Sequence, residues 1–298
     1  MRIDEILDQS DGTRFSLEVF PPKARAKQGM KLQQRLSNIF DTIEILMRYD
    51  PAFVSVTYNT DNLTKATSIP LAAIIKERFK IETVAHLTCI NTPLRELEKT
   101  FDVLEYFNIS NILALRGDLQ PQCPVDSECL RYASDLVRET RSRELGLSIG
   151  VACYPEGHPD CINEKGERDL GADRRNLINK INMGADFAIT QLFLDNGVFF
   201  NMTDHLRKAG VDIPIIPGIM PIINRSNLKV VRNLTGASIP DSLSNRIRDN
   251  ITDPEEVFEI GVEHAVRQCK ELMDNVPSIH FYTMDTWEAT DRIIRELI

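Results

Sequence analysis

A carboxylate, Glu18, stands in the middle of the apolar run Phe15-Ser16-Leu17-Glu18-Val19-Phe20, just ahead of Pro21-Pro22. Held in a cavity, such a group can give and take protons. Further along, other apolar runs also end in polar residues: Ser55 and Thr57, His86 and Thr88, Arg116-Gly117-Asp118, Tyr154-Pro155-Glu156 with His158, and Thr190-Gln191. Arg116, Asn176 and Lys180 suit the phosphate and sugar groups of a dinucleotide cofactor. In the segment DRRNLINKI, Asp173, Asn176 and Lys180 fall three and four residues apart, so a helix there would carry them on one face. By residue type, His86, His158 and Asp118 leave a metal site open. H-E-x-x-H, carboxylate-rich loops and paired cysteines are all absent, so no metal is expected. The P-loop and G-x-G-x-x-G patterns are absent too.

Each of these residues has a plain reading when taken alone. A strand glutamate is usually solvated or ion-paired, a strand histidine is usually a hydrogen-bonded core residue, and R-G-D is usually a turn. Their conjunction carries more weight. A buried polar group costs about 1–3 kcal/mol if left unpaired, so a ring of them implies a large polar ligand or water.

The elements that must position this ring follow from hydrophobic patterning. Strand-length runs dense in Val, Ile, Leu and Phe occur at 15–20, 53–58, 82–88, 111–117, 148–154, 186–193, 213–220 and 278–284. Helical patterns lie between them. Leu32, Leu36, Ile39, Ile43 and Leu46 make one helix face. Thr92-Pro93 reads as a cap followed by a first-turn proline, and Asp253-Pro254-Glu255-Glu256 opens another helix with the charge order its dipole favours. Strand and helix alternating without a linker predict an α/β fold, a single-domain (β/α)8 TIM barrel over residues 1–298. The rival open doubly wound sheet usually has a glycine-rich first turn, and here that turn is FPPK. In a barrel the polar strand ends lie at the C-terminal mouth, where active sites sit. Parity adds that if Leu17 and Val19 pack on the helices, Ser16, Glu18 and Phe20 face the interior. The long connections 118–131 and 155–170 then belong to the mouth, and 236–253 is a further irregular stretch.

A net charge of −9 argues against nucleic acid as a partner. No apolar run approaches the ~18 residues of a membrane helix, so no membrane association is expected. With no signal-peptide pattern and six cysteines lacking any C-x-x-C, the expected location is cytoplasmic, with free thiols.

Taken in order, the stretches SLEVFPPK, FVSVTY, AHLTC, ILALRGD, YASDLV, YPEGHP, GADFAITQLFLD, IPIIPGIMPI and HFYTM resemble methylenetetrahydrofolate reductase, a flavoprotein family of one-carbon metabolism. The resemblance runs over nearly the whole chain. It implies a barrel that binds FAD and reduces 5,10-methylenetetrahydrofolate to 5-methyltetrahydrofolate with NADH or NADPH, in a ping-pong sequence on one flavin face, in a homo-oligomer. The resemblance makes Glu18 the general acid that protonates folate N10 and opens the ring to an iminium cation. It makes Asp118 an electrostatic catalytic residue beside flavin and pterin. The expected cofactor contacts are Thr57, His86, Arg116, Gly117, Asp118, Tyr132, Ala133, Tyr154, His158, Asp173, Asn176 and Lys180. Glu18, Asp118, Gln191 and Asn227 are the expected substrate contacts. The chain departs from the family where HFYTLNR is common: Met284-Asp285-Thr286 puts a threonine at the arginine that would pair with the folate glutamate tail. Asn227 replaces a frequent glutamine, and Val230-Val231 replaces the neighbourhood of a gating phenylalanine. Two other readings stand beside it: a pterin-binding barrel serving a methyltransferase or a lyase without redox chemistry, which fits the polar rim, and a weakly active paralogue serving as a partner subunit, which the altered residues at 227, 231 and 286 suggest.

Overall fold

The structure is a computed structural model that describes residues 1–22, 32–58, 62–90, 92–118, 129–247 and 253–298. Its strands are β1 (Arg14–Val19), β2 (Val54–Val56), β3 (Thr83–Thr88), β4 (Asn111–Leu115), β5 (Ser148–Cys153), β6 (Phe187–Thr190), β7 (Ile215–Ile216), β8 (Gly218–Ile219) and β9 (Ser278–Tyr282). All pair in parallel, in the order β7-β6-β5-β4-β3-β2-β1-β9-β8. The expected single strand at 213–220 is interrupted at Pro217, which has no N–H to give a ladder. Its first half pairs with β6 and its second with β9, so the two halves together close the barrel. The His280 N–H donates to the Pro217 carbonyl at 2.9 Å across that seam.

Parity sorts the side chains. Leu17, Val19, Val54, Val56, Ala85, Leu87, Ile112 and Ala114 face outward into the core shared with the helices. Phe53, Val84, Leu113, Phe187, Ile189 and Ile216 face inward and fill the lower barrel. Gly150 makes that layer possible, because a Cβ there would collide with the Phe187 ring. The short helix α1 (Ile3–Asp8) was not expected from the sequence. It presses Ile3 and Leu7 into the same cluster from below. The Ile3 N–H donates to Asn111 Oδ1 at 2.9 Å, and the Ser148 hydroxyl donates to Asp4 at 2.6 Å, which pins α1 to the lower ends of β4 and β5.

Among the helices between strands, α2 (Leu32–Leu46) buries Ile39, Ile43 and Leu46 as its spacing predicts, but Leu32, at the helix start, is exposed. The helices α3 (Asn62–Phe79), α4 (Leu94–Tyr106), α5 (Ala133–Ser142), α6 (Leu170–Asn182), α7 (Asn196–Lys208), α8 (Arg225–Leu234) and α9 (Asp241–Ser244) follow in turn. Thr92 does not cap α4. Its hydroxyl donates to Thr88 O at 3.1 Å, and Pro93 takes the cap position. Helix α10 (Pro254–Met273) begins as expected, with Asp253 accepting the Glu255 N–H at 3.0 Å, and α11 (Glu288–Arg295) follows β9. Of the long connection at 118–131, residues 119–128 lie outside the described residues. No helix among the described residues is long and apolar enough to cross a membrane.

Candidate active site

Polar side chains from four strands meet inside the upper barrel. β1 brings Ser16 and Glu18, β2 brings Ser55, β3 brings His86 and β9 brings His280, all of them buried. The parity expectation for Glu18 therefore holds, and its side chain is only 6% exposed. Its Oε2 lies 3.6 Å from Nε2 of His86 and 3.6 Å from Nε2 of His280, and the Ser55 hydroxyl reaches it at 3.5 Å. His280 is itself held on three sides. Ser16 Oγ is 2.9 Å from its Nδ1, Ser55 Oγ is 3.3 Å from its Nε2, and its ring stacks on Phe53 with centroids 5.6 Å apart.

Burial pushes the His86 imidazole down to about 4, and neighbouring His280 adds to that. Together they outweigh the opposing pull of the Glu18 charge, so His86 is neutral at pH 7. Its Nε2 has no hydrogen-bond partner, and neither do the buried hydroxyls of Thr57 and Thr88. Three orphaned polar atoms in one upper-barrel region are what a polar ligand's groups or ordered water would satisfy.

A cleft of about 490 Å³ opens at the mouth. Arg116, Tyr132, Ala133, Tyr154, His158, Asp173, Asn176 and Lys180 all line it, so these eight expected cofactor residues are brought together. The face predicted for Asp173, Asn176 and Lys180 exists on α6. The Arg174 guanidinium fixes the turn from β5 into α6, donating to Asp173 at 3.0 Å and to the carbonyls of Tyr154 and Pro155 at 2.7 and 2.6 Å. The His158 N–H donates to Asp173 Oδ1 at 3.2 Å, and its ring meets Tyr154 edge-on, centroids 4.5 Å apart. Arg116 pairs with Asp160 at 2.6 Å and holds that carboxyl below its usual range. Burial lowers the Lys180 ammonium, whose Nζ donates to Ala152 O, and pushes the Tyr154 phenol up to about 12.

The other expected residues lie around these two centres. Thr57 and His86 sit in the upper barrel. Gly117 takes a left-handed φ of 86°, a conformation a side chain would strain, and exposed Asp118 follows it. Gln191 follows the end of β6, with its Oε1 accepting the Leu192 N–H at 2.9 Å. The Asn227 oxygen accepts the N–H groups of Ile223 and Asn224 at 3.0 and 3.1 Å, reaching back from inside α8 to its cap residue Asn224. Thr286 donates to Thr283 O at 3.3 Å. Sequence reasoning placed Ser16 on the interior face with Glu18 but missed His280 and Tyr282 as neighbours of Glu18. The signal was available: Ser278, His280 and Tyr282 alternate with Ile279 and Phe281, which is the same parity that turned Glu18 inward.

A family model described as methylenetetrahydrofolate reductase matches residues 2–298. The chain belongs to the methylenetetrahydrofolate reductase family. It is similar to methylenetetrahydrofolate reductase 2 of Schizosaccharomyces pombe, with 36% identity over 314 residues, covering 99% of this chain and 47% of that protein. It is also similar to the 5,10-methylenetetrahydrofolate reductase of Pectobacterium carotovorum, with 31% identity over 284 residues, covering 95% and 89%. The chain spans about half the length of the eukaryotic relatives it matches. Among solved structures, an uncharacterized Clostridium thermocellum protein that binds two copies of 5-methyl-5,6,7,8-tetrahydrofolic acid shares the fold, with a TM-score of 0.66 at 17% identity, covering 99% of this chain and 98% of that one.

Proposed function

We propose that this methylenetetrahydrofolate reductase family member reduces 5,10-methylenetetrahydrofolate to 5-methyltetrahydrofolate, with NADH or NADPH as donor and FAD as carrier in a ping-pong sequence. The observation that carries the reading is the buried Glu18 carboxyl, set between two imidazoles in the upper barrel. An imidazolidine ring that must be opened needs a proton at N10, and a carboxyl inside a closed wall can deliver it without competition from bulk water.

The residues present fit a flavin dinucleotide. Arg116 and Lys180 supply cationic donors, and Asp173 and Asn176 supply groups for hydroxyls. Gly117 lets a ligand approach the backbone, and the orphaned atoms of Thr57, Thr88 and His86 offer hydrogen bonds deeper in. When bound, FAD supplies a store for two electrons between the half-reactions. Glu18 holds the proton. Ser55 orients its carboxyl, and neutral His86 adds no positive charge that would compete for the iminium's counter-charge. Asp118, at the mouth, contributes a negative charge that favours a cation. Gln191 and Asn227 are the proposed folate contacts, and exposed Tyr132 with Ala133 begins the cofactor wall at α5.

The test is anaerobic stopped flow on protein reconstituted with FAD. NADH or NADPH should bleach the flavin, and 5,10-methylenetetrahydrofolate should restore its colour. A protein that takes up no FAD overturns the reading. Methyl transfer from 5-methyltetrahydrofolate without flavin would favour the methyltransferase alternative.

A further inference from the structure

Asp285 lies three residues beyond Tyr282, the β9 residue paired with Glu18, and its carboxyl turns back onto the end of β1. Its Oδ1 accepts the Phe20 N–H at 3.0 Å. Its own N–H reaches Thr283 Oγ1 at 3.3 Å, and that hydroxyl donates to the Glu18 carbonyl at 2.7 Å. Thr42 of α2 donates to the Asp285 carbonyl at 3.3 Å. Three groups thus hold Asp285, and two of them, the Phe20 N–H and the Thr283 hydroxyl, tie it to the end of β1 just past the Glu18 side chain. Met284 and Asp285 also adopt left-handed φ angles of 53° and 59°. Two successive non-glycine residues there store strain that surrounding contacts must hold, and such strain concentrates at functional sites.

An asparagine at this position would keep the acceptor for Phe20 and suit the left-handed backbone, so what the aspartate adds is a charge. Among the described residues, the charged groups acting on Asp285 are Glu18 from β1 and Arg35 from α2, with His86 and His280 beyond Glu18. Burial, together with the Glu18 charge, pushes the Asp285 carboxyl up to about 6, against the opposing pull of the Phe20 N–H and Arg35.

We propose that Asp285 is a positioning residue for Glu18: it fixes the end of the strand that carries the proton donor, and its carboxyl is electrostatically coupled to that of Glu18. This rests on the reading of Glu18 as proton donor. The coupling follows because a buried carboxyl and a half-buried one beside it cannot both ionise without mutual repulsion, and linkage makes the effect reciprocal.

The decisive experiment needs no turnover. Protein labelled with ¹³C at aspartate and glutamate carboxyls is titrated by NMR, and the Asp285 signal is assigned by its loss in Asp285→Asn. In the wild type it should titrate well above the ordinary aspartate value of about 3.9, and in Glu18→Gln its midpoint should fall toward that value. An unchanged midpoint in Glu18→Gln overturns the coupling whatever the protein's substrate, so this failure is distinct from failure of the reductase reading. The folate half-reaction then separates the two roles. Asp285→Asn, which keeps the acceptor, should shift the pH profile while holding the plateau rate, and Asp285→Ala should lower the plateau. A profile of Asp285→Asn superimposed on the wild type overturns the charge role. Equal plateaus for the asparagine and alanine variants overturn the positioning role.

Discussion

His86 Nε2 lies 3.6 Å from Glu18 Oε2, too far for a hydrogen bond, and has no other hydrogen-bond partner. His280 stands at the same distance on another side of that oxygen, but it is secured by Ser16 and Ser55. The carboxyl is therefore flanked by one imidazole that is held and one that still has a bond to make. This asymmetry suits a group whose other neighbours arrive with the substrate.

Glu18→Gln keeps the size of the side chain and removes the transferable proton. Reduction of 5,10-methylenetetrahydrofolate should fall at least ~10²-fold, the usual contribution of a positioned acid, while FAD uptake and flavin reduction by NADH or NADPH persist. The two half-reactions, followed separately by flavin absorbance, decide the matter. Equal losses in both would make Glu18 structural.

Thr88→Val removes a buried hydroxyl that has no partner. Because an unsatisfied buried polar group costs about 1–3 kcal/mol, the ligand-free protein should gain stability in urea while its affinity for FAD or folate drops. A variant that is less stable and binds normally would show that the hydroxyl serves the fold.

Gly150→Ala places a methyl group against the Phe187 ring in the lower barrel. The overpacking should cost about 1–3 kcal/mol, readable as a lower urea midpoint with an unchanged m-value. Gly150→Ala in combination with Phe187→Leu should recover part of the loss.

Stability against pH should show two opposed slopes. His86 binds its proton less readily folded than unfolded, so its contribution rises with pH between about 4 and 6.5 and is lost on acidification through that window. Asp285 binds its proton more readily folded, so its contribution is present at low pH and is lost as pH rises toward about 6. Asp285→Asn should therefore be more stable than the wild type at pH 7, with most of that advantage gone at pH 4. Thermal unfolding at the two pH values checks the sign.

The barrel was legible because its apolar runs are rich enough in Val, Ile and Phe to stand apart from the helices, and the longer strands, such as β1 and β3, also show parity. Glu18 was found by alternation within a single strand, and Asp173, Asn176 and Lys180 by helical spacing. What escaped notice depended on features that periodicity does not carry. Six residues of α1 are too few to display a helical repeat. The interruption at Pro217 needed proline to be weighed against an otherwise continuous apolar run. Asp285 acts through a left-handed backbone past the end of β9, and that conformation is set by tertiary contacts with β1 and α2. Thr92 looked like a cap, but the nearby Thr88 carbonyl took its hydroxyl instead.

The packing of Ile3 and Leu7 into the base of the barrel has a consequence for traffic. Among the described residues the barrel is stoppered at its foot, so the approach to Glu18 that they leave is over the rim.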